Sequence, residues 1–134
     1  MPGAHPSCFY KLSFHLVLVT KYRNKCLNSD MLDWLESQIR RLLEDNACSL
    51  IQFNGESDHL HALIELNPSI QPSKLINSIK TVTSRLSKKQ FGDHLKKYYW
   101  ATNALWSRSY CLISVGGAPI EVLKKYIENQ QRPE

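Results

Sequence analysis

The sequence predicts an α+β domain, a ferredoxin-like sandwich in which an antiparallel sheet of four to five strands carries helices on one side. Two observations predict it. Runs of apolar and β-branched residues alternate with segments whose apolar residues recur at helical spacing. Their order along the chain is β-α-β-β-α-β-α, which is typical of this architecture. At 134 residues the chain has the size of one domain, expected over residues 1–134 with a loose arm at 1–9.

The first predicted elements are a strand, a helix and a second strand. Residues 14–20 are apolar and rich in β-branched side chains, which favours a strand. The apolar residues that follow recur at helical spacing, which predicts a helix. Ser29 or Asp30 can cap its start, because a short polar side chain there can accept a hydrogen bond from a free backbone amide. Residues 49–53 predict the second strand.

The remaining elements follow from breaks in the pattern. Asn54-Gly55 predicts a turn before a third strand at residues 59–66. Pro72 suits the first turn of the next helix, because proline lacks the amide hydrogen that is unpaired there in any case. A last strand, in one or two pieces, is predicted at residues 106–115, and a final helix is predicted at residues 118–131.

The helix after Pro72 combines an apolar stripe with a basic face. The net charge of the chain is +5, and residues 74–97 contain seven basic residues against one acid, Asp93. A basic face can bind the phosphates of a nucleic acid, or it can simply be solvated. The predicted stripe is Leu75, Ile79, Val82 and Leu86, with the basic residues about a quarter turn away.

The chain is expected to be cytoplasmic and to have no membrane partner. The longest apolar run near its start, residues 16–19, is far too short for a signal peptide or a membrane span. The four cysteines are scattered without a Cys-x-x-Cys pair, so neither a zinc knuckle nor a redox motif is present.

Two short motifs carry candidate chemistry. His59 and His61 lie on one face of the predicted strand, because alternate strand residues point the same way. Tyr126 and Gln130 lie on one face of the final helix, because positions i and i+4 are neighbours there. Two imidazoles and an amide oxygen can hold a divalent metal beside a phenol. Taken singly, each motif more often consists of surface residues, or of residues that pack within the protein, without a catalytic role.

Taken together, the motifs resemble the single-tyrosine HUH transposases of the smallest bacterial insertion sequences, with their REP-associated relatives, where U is a hydrophobic residue. The resemblance covers about residues 10–131. Its segments are His15-Leu-Val-Leu-Val-Thr-Lys-Tyr-Arg23, Asp58-His-Leu-His61, Ser78-Ile-Lys80, Trp106 with Tyr110, Val115-Gly-Gly-Ala-Pro119 and Tyr126-Ile-Glu-Asn-Gln130.

The resemblance implies an active site and a reaction. His59, His61 and Gln130 would be the protein ligands of Mg²⁺, or of Mn²⁺, and Tyr126 would be the nucleophile. The enzyme would cleave and rejoin single-stranded DNA at the ends of an element, through a 5′-phosphotyrosine intermediate.

The resemblance also implies partners. The substrate would be single-stranded DNA with hairpins, and the enzyme would be a homodimer. A mobile final helix, freed by Gly116-Gly117, can then cross to the other subunit and bring Tyr126 to that subunit's histidines. From the distribution of charge, the residues expected to contact DNA are Lys21, Arg23, Lys80, Arg85, Lys88 and Lys89.

Three alternative functions remain open from the sequence. A domesticated relative would nick and join single strands without mobilising its own gene. A non-catalytic module would bind single-stranded nucleic acid on the same kind of sheet, although the aromatic motif of such modules is missing here. A metal-dependent hydrolase would use water in place of Tyr126 and would form no covalent adduct.

Overall fold

The computed structural model describes residues 12–99, 104–116 and 120–129. The predicted order β-α-β-β-α-β-α is present within these ranges, with one further short helix at Gly92–Leu95. A 3₁₀ turn, Lys21–Arg23, follows the first strand. The remaining elements are β1 (Leu12–Val19), α1 (Ser29–Asp45), β2 (Ser49–Gly55), β3 (His59–Leu66), α2 (Pro72–Gln90), α3 (Gly92–Leu95), β4 (Cys111–Ser114) and α4 (Ile120–Asn129).

The four strands form one sheet in the order β2-β3-β1-β4, and each neighbouring pair is antiparallel. β1 and β2 therefore run parallel to each other with β3 between them, which is the split β-α-β arrangement of a ferredoxin-like sandwich. The predicted fold is confirmed. The last predicted strand is indeed in two pieces, because Trp106 forms a single bridge with Thr20 before β4 begins.

One face of the sheet carries the main core under α1 and α2. Along β3 the buried positions alternate with half-buried ones, as expected for a strand with one face in the core. Apolar side chains of both helices meet this face, including Leu35, Ile39, Ile76 and Ile79, all of which are fully buried. No helix in the described ranges has both the length and the apolar character needed to cross a membrane.

The opposite face of the sheet is covered in part by α4. Val17 and Val19 of β1 are buried there against Leu123, and Tyr126 and Ile127 of α4 pack at the edge of this cluster. The prediction that the helices pack on one side therefore holds for α1 and α2, whereas α4 lies on the other side. The reason is that β1 is apolar on both faces, and its second face also needs a cover.

Two predicted element ends are displaced. Asn28, and not Ser29 or Asp30, caps α1, since its side-chain oxygen accepts a hydrogen bond from the Met31 amide at 2.9 Å. Asn54 and Gly55 do not form the turn after the second strand. They are the last two residues of β2, and the turn follows Gly55.

The buried stripe of α2 also differs from the prediction. Leu75 and Ile79 are buried as predicted, but the stripe continues through Thr83 and Ser87, while Val82 and Leu86 are only half-buried. Polar groups can be buried there because they have partners. The Trp106 indole donates a hydrogen bond to the Thr83 hydroxyl at 2.9 Å.

Candidate active site

The two histidines of the Asp58-His-Leu-His61 segment lie on the sheet face that α4 covers. In the register between β1 and β3, Val19 lies opposite His59 and Val17 opposite His61. Directly opposed residues of an antiparallel pair point to the same face, so both rings lie beside the valines that α4 packs on. Leu60 between them is fully buried in the main core. The strand pattern predicted from the sequence therefore positions both imidazoles as expected.

His59 is oriented by Asp58. Its Nδ1 lies 2.8 Å from Asp58 Oδ1, and the second carboxylate oxygen accepts a hydrogen bond from Arg23 Nε at 2.7 Å. Burial opposes the charge on Asp58, but the hydrogen bond with His59 and the positive charge of Arg23 outweigh it. The pKa of Asp58 consequently lies below its usual value. With Nδ1 engaged, His59 keeps Nε2 for a cation, an arrangement common behind metal-binding histidines.

His61 has a partner that the sequence did not indicate. His15 Nδ1 lies 2.9 Å from His61 Nε2, and the two rings are tilted with their centroids 5.1 Å apart. Burial lowers the pKa of His61, and the nearby charges of His15 and His59 lower it further. His61 is therefore neutral at pH 7, which is the form that binds metals. A cation that binds at Nε2 must displace the hydrogen bond with His15.

A cavity of about 380 Å³ opens next to the histidines, between the sheet and α4. Its lining offers oxygen atoms, as well as imidazole nitrogens, as possible ligands of a metal ion. Its described lining residues are Val17, Asn54, Gly55, Glu56, His59, His61, Leu123, Lys124 and Ile127.

The donor set fits a divalent cation that shares its coordination with substrate and water. Among the described residues, no three side chains of His, Cys, Asp or Glu are grouped closely enough to hold a metal by themselves. Gln130, the predicted third ligand, lies outside the described residues. Two imidazoles with further oxygen ligands suit Mg²⁺ or Mn²⁺, and open positions are what a phosphate substrate requires.

Tyr126 does not meet the histidines within the described chain. Its hydroxyl lies 2.8 Å from the Ser109 hydroxyl, in the segment that leads into β4. The histidines lie on β3, which is on the other side of β1 in the strand order. Neighbouring strands are about 4.8 Å apart, so the two groups are separated by about two strand spacings. The structure brings Tyr126 to the same face of the sheet as the histidines, and to the far side of β1.

A second concave surface, of about 520 Å³, lies between α2 and residues 104–108. We call it the basic groove. Five of its described lining residues are basic and none is acidic, so its electrostatic potential favours an acidic polymer. Its described lining residues are Lys21, Asn77, Lys80, Thr81, Ser84, Arg85, Lys88, Ala104, Trp106, Ser107 and Arg108.

The structure groups four of the six residues predicted to contact DNA. Lys21, Lys80, Arg85 and Lys88 all line the basic groove. Lys89 lies on the neighbouring side of α2, at a separate hollow formed with α3. Arg23 is set apart, because its guanidinium contacts Asp58 and the backbone carbonyl of Ile127.

The family is shown by comparison with known proteins. Residues 8–130 match the family model described as "Transposase IS200 like". The chain belongs to this family of IS200-like transposases. The predictions of a transposase, and of an enzyme, are thereby confirmed.

Individual relatives agree with this assignment. The transposase is 29% identical over 125 residues to the ISDra2 transposase TnpA of Deinococcus radiodurans, which covers 93% of this chain and 88% of the relative. It is 26% identical over 121 residues to the transposase for insertion sequence element IS200 of Salmonella typhimurium, covering 90% of this chain and 78% of the relative.

Solved structures share the fold. A crystal structure of a protein assigned as a transposase from Deinococcus radiodurans R1 superimposes with a TM-score of 0.84 at 28% identity, over 98% of both chains. A REP-associated tyrosine transposase, solved bound to a REP hairpin, superimposes with a TM-score of 0.54 at 12% identity, over 93% of this chain and 68% of that one. The second likeness supports the fold alone.

Three residues of this candidate site were not predicted from the sequence. The pairing of His15 with His61 depends on the register between β1 and β3, which no local pattern reveals. Ser109 contacts Tyr126, and Arg108 lines the basic groove. Both positions depend on residues 104–110 lying against α2 and β1. Asp58 was the one neighbour with a signal in the sequence, since it directly precedes His59.

We predict that the charge of Asp58 stabilises the fold at neutral pH and not in acid. Asp58→Asn should lower the free energy of unfolding at pH 7 by about 1.5–3 kcal/mol, since hydrogen bonds to charged groups contribute about this much. The folded-state pKa of Asp58 is below its unfolded value of about 3.9, so this stabilisation is lost as the pH falls through the folded-state pKa. Urea unfolding at a series of pH values measures the difference.

The control for this prediction is Asp93→Asn, because the Asp93 carboxylate is fully exposed. It should leave the stability unchanged across the series. A difference between wild type and Asp58→Asn that stays constant from neutral to acid would contradict the assignment.

Proposed function

We propose that this transposase cleaves and rejoins single-stranded DNA at the ends of an insertion element, with Tyr126 as the nucleophile. The observation that supports it best is the shared sheet face. His59 and His61 lie on the face that α4 covers, and α4 carries Tyr126. A nucleophile and a pair of metal-binding side chains on one face of a sheet form a site for phosphoryl transfer.

Mg²⁺, or Mn²⁺, is the proposed cofactor, with His59, His61 and Gln130 as its protein ligands. Bound there, the cation would neutralise the charge that builds up on the phosphate and favour the ionised phenol. The contacts of the chain itself prepare this site. Asp58 holds the His59 ring through Nδ1, and burial keeps His61 neutral.

The proposed reaction is a transesterification. The Tyr126 oxygen loses its proton and forms a bond to the phosphorus, and the bond from phosphorus to the 3′ oxygen breaks. The 3′ oxygen takes up a proton and leaves as a free hydroxyl, while the 5′ phosphate stays on the tyrosine. In the rejoining step a 3′ hydroxyl of another strand loses its proton and attacks the phosphorus, the bond from phosphorus to the Tyr126 oxygen breaks, and that oxygen takes up a proton. The number of phosphodiester bonds is conserved, so the reaction needs no nucleotide triphosphate.

The basic groove is the proposed contact surface for the DNA backbone. Its five basic residues come from both of its walls, so a backbone lying in it would meet positive charge on each side. Trp106, one of its lining residues, is almost fully buried and donates a hydrogen bond to Thr83 of α2. We propose DNA hairpins as the substrate form, as in the REP-associated transposase that was solved with a hairpin.

We also propose that the active enzyme is a homodimer in which α4 acts on the partner. The support is the position of Tyr126, whose hydroxyl is bonded to Ser109 on the far side of β1 from its own histidines. Productive alignment requires α4 to move, or to come from a second copy. Gly116 has a φ of +82°, a left-handed conformation that favours glycine, just before α4.

A covalent adduct tests the reaction. Wild-type enzyme incubated with Mg²⁺ or Mn²⁺ and labelled single-stranded DNA from its own flanking hairpins should retain the label from the 3′ side of the cut on a denaturing gel. Tyr126→Phe should form no adduct, because it lacks the attacking oxygen, while His59→Ala and His61→Ala should form much less.

The other outcomes discriminate between functions. Cleavage that persists in Tyr126→Phe without an adduct would indicate a metal-dependent hydrolase. Tight binding without cleavage would indicate a binding module. Cleavage with an adduct, but without transfer to a second end, would indicate a domesticated nickase. Tyr98→Phe is a matched control, because Tyr98 is an exposed tyrosine remote from α4 in the chain.

Salt dependence tests the basic groove. Arg85→Gln with Lys88→Gln should weaken DNA binding and reduce the slope of log K against log salt by about 1.4 to 1.8, since each of the two phosphate contacts contributes about 0.7 to 0.9. Fluorescence anisotropy over a salt series measures this. Arg40→Gln with Arg41→Gln on α1 removes the same charge outside the groove and should leave the slope close to wild type. Equal slopes for both double variants would exclude the groove as the contact surface for the DNA backbone.

Complementation tests the shared site. His61→Ala and Tyr126→Phe are each expected to be inactive as homodimers. When they are mixed, a heterodimer with α4 acting in trans would contain one site with both an intact histidine pair and Tyr126, so part of the adduct formation should return. Absence of rescue, with mixed dimers demonstrated by differently tagged chains, would contradict action in trans.

A further inference from the structure

The turn after β1 has a strained backbone. Tyr22 and Arg23 are consecutive residues with φ of 60° and 57°. Side chains other than glycine rarely adopt this left-handed conformation, and two in succession are rarer still. Such strain persists only where the surrounding contacts impose it, and it is concentrated at functional sites.

Hydrogen bonds from three directions hold this turn. The Lys21 amide donates to the Leu105 carbonyl at 2.9 Å, and the buried Tyr99 hydroxyl donates to the Lys21 carbonyl at 2.9 Å. Within the turn, the Thr20 hydroxyl donates to the Asn24 carbonyl at 2.7 Å. Residues distant in the chain therefore hold the backbone at Lys21, and local hydrogen bonds close the turn around Arg23.

The consequence is a bridge between two elements of the active site. Arg23 Nε donates to Asp58 Oδ2 at 2.7 Å, and Arg23 Nη1 donates to the carbonyl oxygen of Ile127 in α4. The Arg23 side chain is only 17% exposed, and that of Asp58 only 12%. Ile127 belongs to α4, the helix that carries Tyr126.

The bridge continues to the proposed metal ligand. The other oxygen of the same carboxylate, Asp58 Oδ1, lies 2.8 Å from His59 Nδ1. A continuous chain of polar contacts thus runs from α4 through Arg23 and Asp58 to the His59 ring. Its two ends are the helix that carries Tyr126 and one of the two histidines.

We propose that Arg23 is a positioning residue that couples the docking of α4 to the orientation of His59. One guanidinium group holds the Ile127 carbonyl of α4 and, through Asp58, the ring that would face the cation. This inference rests on the proposed function, because it assigns His59 and Tyr126 their roles. It replaces the expectation that Arg23 contacts DNA with a role inside the active site.

The chemistry of arginine explains why this residue suits the position. Its guanidinium is planar and presents donors in different directions, so it can bind a carboxylate and a carbonyl at the same time. Lysine offers a point charge at the end of a flexible chain. It can pair with Asp58, but it lacks the fixed fork needed to hold Ile127 as well.

Two measurements that do not depend on catalysis test the coupling. Hydrogen–deuterium exchange of peptides from α4 reports its docking, and titration with Mn²⁺, followed by electron paramagnetic resonance, reports the metal site. Arg23→Gln should speed exchange in α4 about tenfold, since a charged hydrogen bond is lost. It should also weaken Mn²⁺ binding about tenfold, as loss of outer-shell support typically does.

Two further variants separate the ends of the bridge. Asp58→Asn should weaken Mn²⁺ binding and also speed exchange in α4, although Asp58 has no direct contact with the helix among its described hydrogen bonds. Arg23→Lys should recover most of the Mn²⁺ affinity and leave α4 exchange fast. Arg41→Gln is the control, because Arg41 forms an exposed ion pair on α1 and should change neither readout.

The outcomes are decisive for the coupling. Unchanged α4 exchange in Asp58→Asn, or full recovery of both readouts in Arg23→Lys, would overturn it. If Arg23→Gln fails to fold, the Asp58→Asn and Arg23→Lys variants still decide the question. The adduct assay with Tyr126→Phe tests the proposed function separately, so a positive adduct with uncoupled readouts would reject only the role of Arg23.

Discussion

The antiparallel pairing of β1 with β3 is the interaction on which the rest of the structure depends. Its register sets Val17 beside His61 and Val19 beside His59, so the apolar docking surface of α4 and both imidazoles share one face. A shift of one residue would turn the histidines into the main core and expose Leu60. The same register brings His15 to His61, because both residues point to that face.

The burial of both faces of β1 links the architecture to the proposed chemistry. Leu16 and Leu18 are covered by α1 and α2, and Val17 and Val19 are covered by α4. A helix that leaves this position exposes two valines, each of which stabilises the fold by roughly 1.5–3 kcal/mol when fully buried. In the proposed homodimer, the α4 of the partner would therefore have to cover the same valines, in a position that brings its Tyr126 closer to the histidines. Hydrophobic burial would favour such a reciprocal exchange, as in a symmetric dimer.

Polar contacts then select one position for α4 on that surface. Apolar packing is non-directional, so Val17, Val19 and Leu123 alone would tolerate several helix orientations. Ser109 binds the hydroxyl of Tyr126 on one side of β1, and Arg23 binds the carbonyl of Ile127 on the other. The strained backbone at Tyr22 and Arg23 is the cost of directing that guanidinium, and Thr20, Leu105 and Tyr99 supply the bonds that maintain it.

The sequence by itself determined the fold class, the strand that carries His59 and His61, and the helix that carries Tyr126. These features follow from local periodicity and are short-range. Only the tertiary structure decided that α4 lies opposite α1 and α2, that His15 meets His61, and that Arg23 contacts Asp58 and Ile127. Each of these contacts joins residues from different elements, and so depends on strand register and on a left-handed turn that no local pattern encodes.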